Sequence, residues 1–107
     1  MQLTSSEQRI LKELVDGFRR HFGASEVLLY GSAARGELEE DSDIDLLVVL
    51  PKVNWEIEKR LIDHCFEAEL KCGRIISAVC FTGDELAHSP LRASPLVLNA
   101  RKEGIPL

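Results

Sequence analysis

The chain has 107 residues, 45% hydrophobic and 29% charged, with a formal net charge of -5. That length suits one domain with a single modest core, and the composition excludes a disordered chain. The acidic balance disfavours a long nucleic-acid contact, which needs a basic face, and 6% aromatics leave too few rings for a single-strand stacking platform.

The three cysteines, Cys65, Cys72 and Cys80, are odd in number and lack CxxC spacing, which argues against a disulfide framework and a zinc site. No apolar run approaches the ~20 residues of a membrane span. The first residues lack the basic-then-apolar pattern of a signal peptide. The expected setting is cytoplasmic, with reduced thiols and no membrane contact.

Thr4 and Glu7 have capping-box spacing, and Ile10, Leu11, Leu14, Val15, Phe18 and Phe22 follow at helical period. The spacing predicts a helix over 5–22, stopped by Gly23. Val27 to Tyr30 reads as a short buried strand. Residues 32–36 read as a helical turn and 37–42 as a solvated acidic loop. Ile44 to Leu50 is continuously apolar, so it belongs in the middle of a sheet, and Pro51 ends it.

Asn54 is placed to cap the next helix, with Ile57, Leu61, Ile62, Cys65, Phe66 and Leu70 as its expected buried stripe. Trp55, near its start, is expected to cover the core edge or to contact a partner. Arg74 to Phe81 reads as a third strand. Thr82 and Glu85 form a second capping-box pair, and a last helix is expected over about 96–102. His21, His64 and His88 read as surface or capping residues. The order of elements predicts a small α/β (α+β) layer structure. Strand directions are not legible from the pattern.

The chemistry concentrates in Gly31-Ser32-Ala33-Ala34-Arg35-Gly36 and in Ser42-Asp43-Ile44-Asp45. Residues i and i+2 of a strand share a face, about 6–7 Å apart. Asp43 and Asp45 therefore point the same way and repel, and a hard divalent cation such as Mg²⁺ relieves that repulsion. The bland alternative has Asp43 capping the strand start and Asp45 pairing with a surface cation. Gly31 lets backbone N–H groups approach a phosphate, and Ser32 adds a hydroxyl; a plain strand-to-helix turn is the alternative. Arg35 is open to a phosphate, to the acidic residues Glu37, Glu39, Glu40 and Asp41, or to Asp43 and Asp45. Ser42 reads as a local backbone partner that orients the loop.

Taken as one string, GSAARGELEEDSDIDLLVVL resembles the nucleotidyltransferase signature of the DNA polymerase β superfamily, and most closely its minimal nucleotidyltransferases. The matching positions are Gly31, Ser32, Arg35, Gly36, Ser42, Asp43 and Asp45. Lys102 to Ile105 also looks like the end of many such chains. The resemblance implies a single polymerase β-like nucleotidyltransferase palm over 1–107, a small mixed sheet with helices packed on it. It implies Mg²⁺, with Mn²⁺ as a substitute, on the catalytic Asp43 and Asp45. It implies an NTP, here ATP, bound by Gly31, Ser32, Arg35 and Ser42. The implied reaction is transfer of a nucleoside monophosphate to an acceptor, and the implied partner is a helical HEPN protein for which such chains serve as antitoxins. The short length leaves little room for an acceptor domain, so an acceptor on another chain or self-association is expected.

One feature departs from the family pattern. The superfamily takes a third carboxylate from a later strand, and the Ile75 to Phe81 stretch has none. Ser77 stands at the expected position. Glu67, Glu69, Asp84 and Glu85 are candidate substitutes, each with a surface role as its alternative. A nucleotide-binding subunit that turns over weakly or not at all, and acts by binding its partner, is therefore the rival reading.

Overall fold

The computed structural model describes residues 2–107. Helix α1 spans Ser5–Phe22, strand β1 Glu26–Tyr30, the one-turn helix α2 Ser32–Arg35 and strand β2 Ile44–Leu50. Helix α3 follows at Trp55–Cys72, strand β3 at Ile76–Thr82, helix α4 at Gly83–His88, a 3-10 turn at Pro90–Ala93, helix α5 at Pro95–Glu103 and strand β4 at Ile105–Pro106.

The expected caps form. The Thr4 side chain accepts from Glu7 N–H while Glu7 accepts from Thr4 N–H, and Thr82 and Glu85 repeat the arrangement on α4. Asn54 caps α3 through Ile57 N–H at 2.9 Å. Gly23 and Gly73 close α1 and α3 in the left-handed conformation.

The sheet is mixed, in the order β3-β2-β1-β4. β1 runs antiparallel to β2 and β4, whereas β2 and β3 are parallel. The most apolar strand, β2, is internal, as its sequence requires. One face carries Val27, Leu29, Ile44, Leu46, Val48, Leu50 and Ile76 under α1 and α3. The other carries Leu28, Leu47, Val49, Val79 and Phe81 under α5. The fold is thus three layers, with a larger core on one side and a thin one on the other.

Four expectations are corrected. The buried stripe of α3 is Leu61, Cys65 and Ala68, with Ile57 partly covered; Ile62, Phe66 and Leu70 face outward. Both sets have helical spacing, so periodicity alone could not choose between them. Trp55 is exposed and covers no core edge. The third strand starts at Ile76, because Arg74 turns inward instead of joining the sheet. The tail adds the short strand β4, too brief to leave a pattern in the sequence.

Arg74 also corrects the reading of the acidic loop. Its guanidinium is buried and pairs with Glu7 of α1. Its Nη1 donates to the carbonyls of Glu39 at 2.9 Å, Glu40 at 3.4 Å and Ser42 at 3.1 Å. Leu38 is buried within the same segment. The loop is therefore anchored from inside, and only its carboxylates are solvated. This anchor fixes the backbone that delivers Asp43 and Asp45 to β2.

Burial alone would raise the Glu7 carboxyl, but hydrogen bonds from Thr4 and Arg74 and the Arg74 charge outweigh it and hold it below its ordinary value of 4.5. The associated stability is full above pH 4.5 and is lost as pH falls through the lower native value. Glu7→Gln should flatten acid unfolding in that window, measured by urea melts from pH 3 to 7. Arg74→Met leaves Glu7 buried and unpaired, and should cost about 3–5 kcal/mol. Amide exchange across residues 37–43 should accelerate in this variant more than in the β2 interior.

Candidate active site

The chain reverses between the end of β1 and the start of α2, and Gly31 makes that reversal with φ 72° and ψ -152°. Only glycine adopts this backbone region readily. A Cβ on Gly31 would stand 2.5 Å from Asp45 Oδ2. The missing side chain is thus what allows the Asp45 carboxylate to lie against the turn. Turn and carboxylate, about a dozen residues apart in sequence, form one surface.

Strand register completes that surface. Tyr30, Asp45 and Ser77 are mutual neighbours across β1, β2 and β3, so their side chains leave the same face. This is the α5 face, at the end where β2 and β3 begin. Asp43 lies one step outside β2 and is coupled to Asp45 by charge. Burial, then the Asp43 charge, raises the Asp45 carboxyl above its ordinary value, against an opposing pull from Arg35. Burial and the Asp45 charge likewise raise the Tyr30 phenol.

Two adjacent hard oxygen donors with mutual repulsion fit a Mg²⁺ ion that keeps several waters or phosphate oxygens. Among the described residues no three His, Cys, Asp or Glu side chains converge on a common point. The carboxylates that come together on this surface are Asp43 and Asp45. Ser77 is exposed beside Asp45, at the strand from which the resemblance led to the expectation of an acid.

The substitutes considered for that acid are engaged or placed elsewhere. Glu69 accepts from Ile76 N–H at 2.9 Å, and Glu85 caps α4. Glu67 lines a small cleft between α1 and α3, on the opposite face of the sheet. Asp84 sits beyond the far end of β3, roughly 16 Å of strand from Ser77.

One site residue escaped the sequence reading. Glu103, at the end of α5, accepts from Gly31 N–H at 3.3 Å and from Arg35 Nη1 at 2.9 Å. Arg35 Nε also donates to Glu37 at 3.1 Å. Of the partners left open for Arg35, the loop acid Glu37 is the direct one, and Glu103 is a second that was not among them. The turn amide and Arg35 already hold one carboxylate between them, which shows them acting together as an anion seat. The resemblance noted for Lys102 to Ile105 assigned Glu103 no role. Ser42 does orient its loop: its hydroxyl accepts from Glu39 N–H at 2.8 Å. A cavity of about 600 Å³ lies behind α2 on the α1 face. It reaches Arg35 and Gly36 but not Gly31, Asp43, Asp45 or Ser77, so the carboxylate surface is an open ledge and not that cavity.

Comparison with known proteins gives the family and the fold. Residues 11–101 match the family described as nucleotidyltransferase domain, and the chain belongs to that family. MJ0604 of Methanocaldococcus jannaschii, named as a candidate protein adenylyltransferase, is 34% identical over 76 residues, covering 69% of this chain and 72% of its own. A solved candidate minimal nucleotidyltransferase superposes with a TM-score of 0.68 at 29% identity, over 100% of this chain and 97% of its own. Two structures share the fold at lower identity. A mutant form of the toxin-antitoxin complex MntA-HpeT gives a TM-score of 0.60 at 21% identity, over 97% of this chain and 72% of that one. A toxin-antitoxin with AMP-PNP gives 0.61 at 20%, over 94% and 70%. The mixed sheet and the family expected from the GSAARG and SDID strings are therefore both found. No helix among the described residues is long and apolar enough to cross a membrane.

Gly31→Ala should cost about 1–3 kcal/mol from backbone strain alone, and the forced shift of Asp45 should add to it. Thermal melts should show the loss, with amide shifts concentrated at residues 30–36 and 43–46. Asp43→Asn should bring the Asp45 carboxyl back towards its ordinary value, read by carbon-detected NMR titration.

Proposed function

We propose that this chain is a Mg²⁺-dependent nucleotidyltransferase that moves AMP from ATP onto a protein acceptor, as the antitoxin-like partner of a HEPN-type helical protein. The observation that carries the reading is the contact of Asp45 with the bare Gly31 turn, which sets a metal-type carboxylate beside an anion seat. The name of MJ0604 supports adenylyl transfer to protein. The toxin-antitoxin neighbours, one with AMP-PNP, support the partner and the nucleotide.

In this reading Gly31 N–H, the Ser32 hydroxyl and Arg35 hold the triphosphate, Ser42 keeps the loop in register, and Asp43 and Asp45 hold the cation. A bound cation supplies charge neutralisation between phosphates and carboxylates. The acceptor oxygen bonds to the α-phosphorus, the bond to the bridging oxygen breaks, and pyrophosphate leaves. Ser77 is too weak a base to take the acceptor's proton, so the acceptor chain supplies that group. A triphosphate in the seat must displace the Glu103 carboxylate.

The presence of Ser77 where an acid belongs favours a second reading, a nucleotide-binding subunit with little turnover that acts by covering its partner.

α-³²P-ATP and γ-³²P-ATP, incubated with the chain, Mg²⁺ and native extract, separate the two. Transfer predicts a protein band labelled from the α-phosphate alone and absent with Asp43→Asn/Asp45→Asn. No such band, with a partner still co-purifying and ATP still bound, supports the second reading. If transfer is slow for want of an acid, Ser77→Asp should raise its rate at least about tenfold, within the usual range for general-base catalysis. Glu103→Gln removes the competing charge and should lower the Kd for Mg²⁺-ATP by roughly threefold to tenfold, measured by calorimetry.

A further inference from the structure

The outer face of α3 carries an apolar ridge with no partner in the fold. Trp55 is 71% exposed, Ile62 57%, Phe66 56% and Leu70 72%. Their spacing of seven, four and four residues aligns them along one side of the helix, a ridge about 22 Å long at 1.5 Å per residue. The exposed Lys59 separates Trp55 from the rest of the ridge, and the contiguous exposed apolar stretch from Ile62 to Leu70 is the kind of surface that marks an interaction site. The ridge runs beside β3, where Ile62 shares a cleft of about 330 Å³ with Ala78, Val79, Cys80 and Phe81.

The flanks of the ridge identify its occupant. On a helical projection Glu58 and Glu69 lie along one side, and Asp63, Glu67 and Glu56 along the other. A second copy fits poorly. An antiparallel pair centred on Phe66 sets Ile62 against Leu70 but also Asp63 against Glu69, and a parallel pair sets like against like. A partner strand is disfavoured too. Two amides of the β3 edge are already taken, Ile76 N–H by Glu69 at 2.9 Å and Thr82 N–H by Glu85 at 3.0 Å, so little of the edge remains for strand addition.

We propose that the outer face of α3 docks an amphipathic helix of another protein, whose apolar ridge is flanked by Lys or Arg. Apolar side chains fill the groove beside Ile62 and Phe66, while the cationic flanks meet Glu58, Glu69, Asp63 and Glu67. Because α3 covers the sheet face opposite Asp45, a helix docked there leaves the carboxylate ledge open. This inference stands on α3 alone and survives even if the chain transfers no nucleotide.

The test uses three labelled synthetic helices in fluorescence anisotropy. One has a leucine ridge with Lys/Arg flanks, one the same ridge with Glu flanks, and one the Lys/Arg flanks with a serine ridge. The first should bind, and both others at least about tenfold more weakly. Ile62→Ser/Phe66→Ser should abolish the difference while circular dichroism and Tm stay native. Asp63→Lys/Glu67→Lys should shift preference towards the Glu-flanked helix. Equal binding of the Lys/Arg-flanked helices with and without the leucine ridge, no binding at all, or binding unchanged in the serine variant overturns the proposal. So does sedimentation showing a dimer that the serine variant dissolves.

Discussion

The buried pair of Glu7 and Arg74 is the constraint on which the site depends. Neither residue touches the ledge. Glu7 is fixed as the second member of the α1 capping box, and it fixes Arg74, which then collects three carbonyls from the loop before β2. A buried ion pair gives little net stability compared with apolar packing, but breaking one side is costly. Here the pair is spent on position. It converts an acidic loop, which would otherwise extend into water, into a fixed approach for Asp43 and Asp45.

Charge is managed at both ends of that approach. Asp43 and Asp45 are held together against their repulsion, and Asp45 is raised in consequence. Beside them, Gly31 N–H and Arg35 hold the carboxylate of Glu103. The resting site therefore has an excess of negative groups around a small anion seat. Under the proposed function, a cation-bound polyphosphate would answer both, bringing positive charge to the aspartates and taking over the donors held by Glu103. The cost of displacing Glu103 is local, since α5 rests on the thin core through Val97 and Ala100, and Glu103 lies at its last turn.

Much of this was legible in the sequence, and the exceptions share a cause. The caps at Thr4, Asn54 and Thr82 are local, and so is the apolar run Ile44 to Leu50; local chemistry fixed those elements. The GSAARG and SDID strings marked the turn and the aspartate pair by local rules of glycine geometry and strand alternation, whereas their meeting depends on the antiparallel pairing of β1 and β2. What escaped were contacts between distant segments. Arg74 looked like the first residue of a strand, because the carbonyls it serves lie over thirty residues earlier. Glu103 looked like part of a helix end. Ile62, Phe66 and Leu70 looked buried, because two helical stripes compete on α3 and only the packed fold shows which one meets the sheet. Ser77 was the reverse case: the absence of an acid was visible, and register with Asp45 then fixed where that absence falls.

The central claim is that the bare Gly31 turn and the Asp43-Asp45 pair form one binding surface for a cation-bound nucleotide. Paramagnetic broadening of amide signals by Mn²⁺ with AMP-PNP tests it most directly. The account predicts selective broadening at Gly31, Ser32, Asp43, Asp45 and Ser77, with the α1-side cavity near Leu11 and Val15 unaffected. Broadening centred on that cavity, or uniform weak broadening of surface carboxylates, would contradict it.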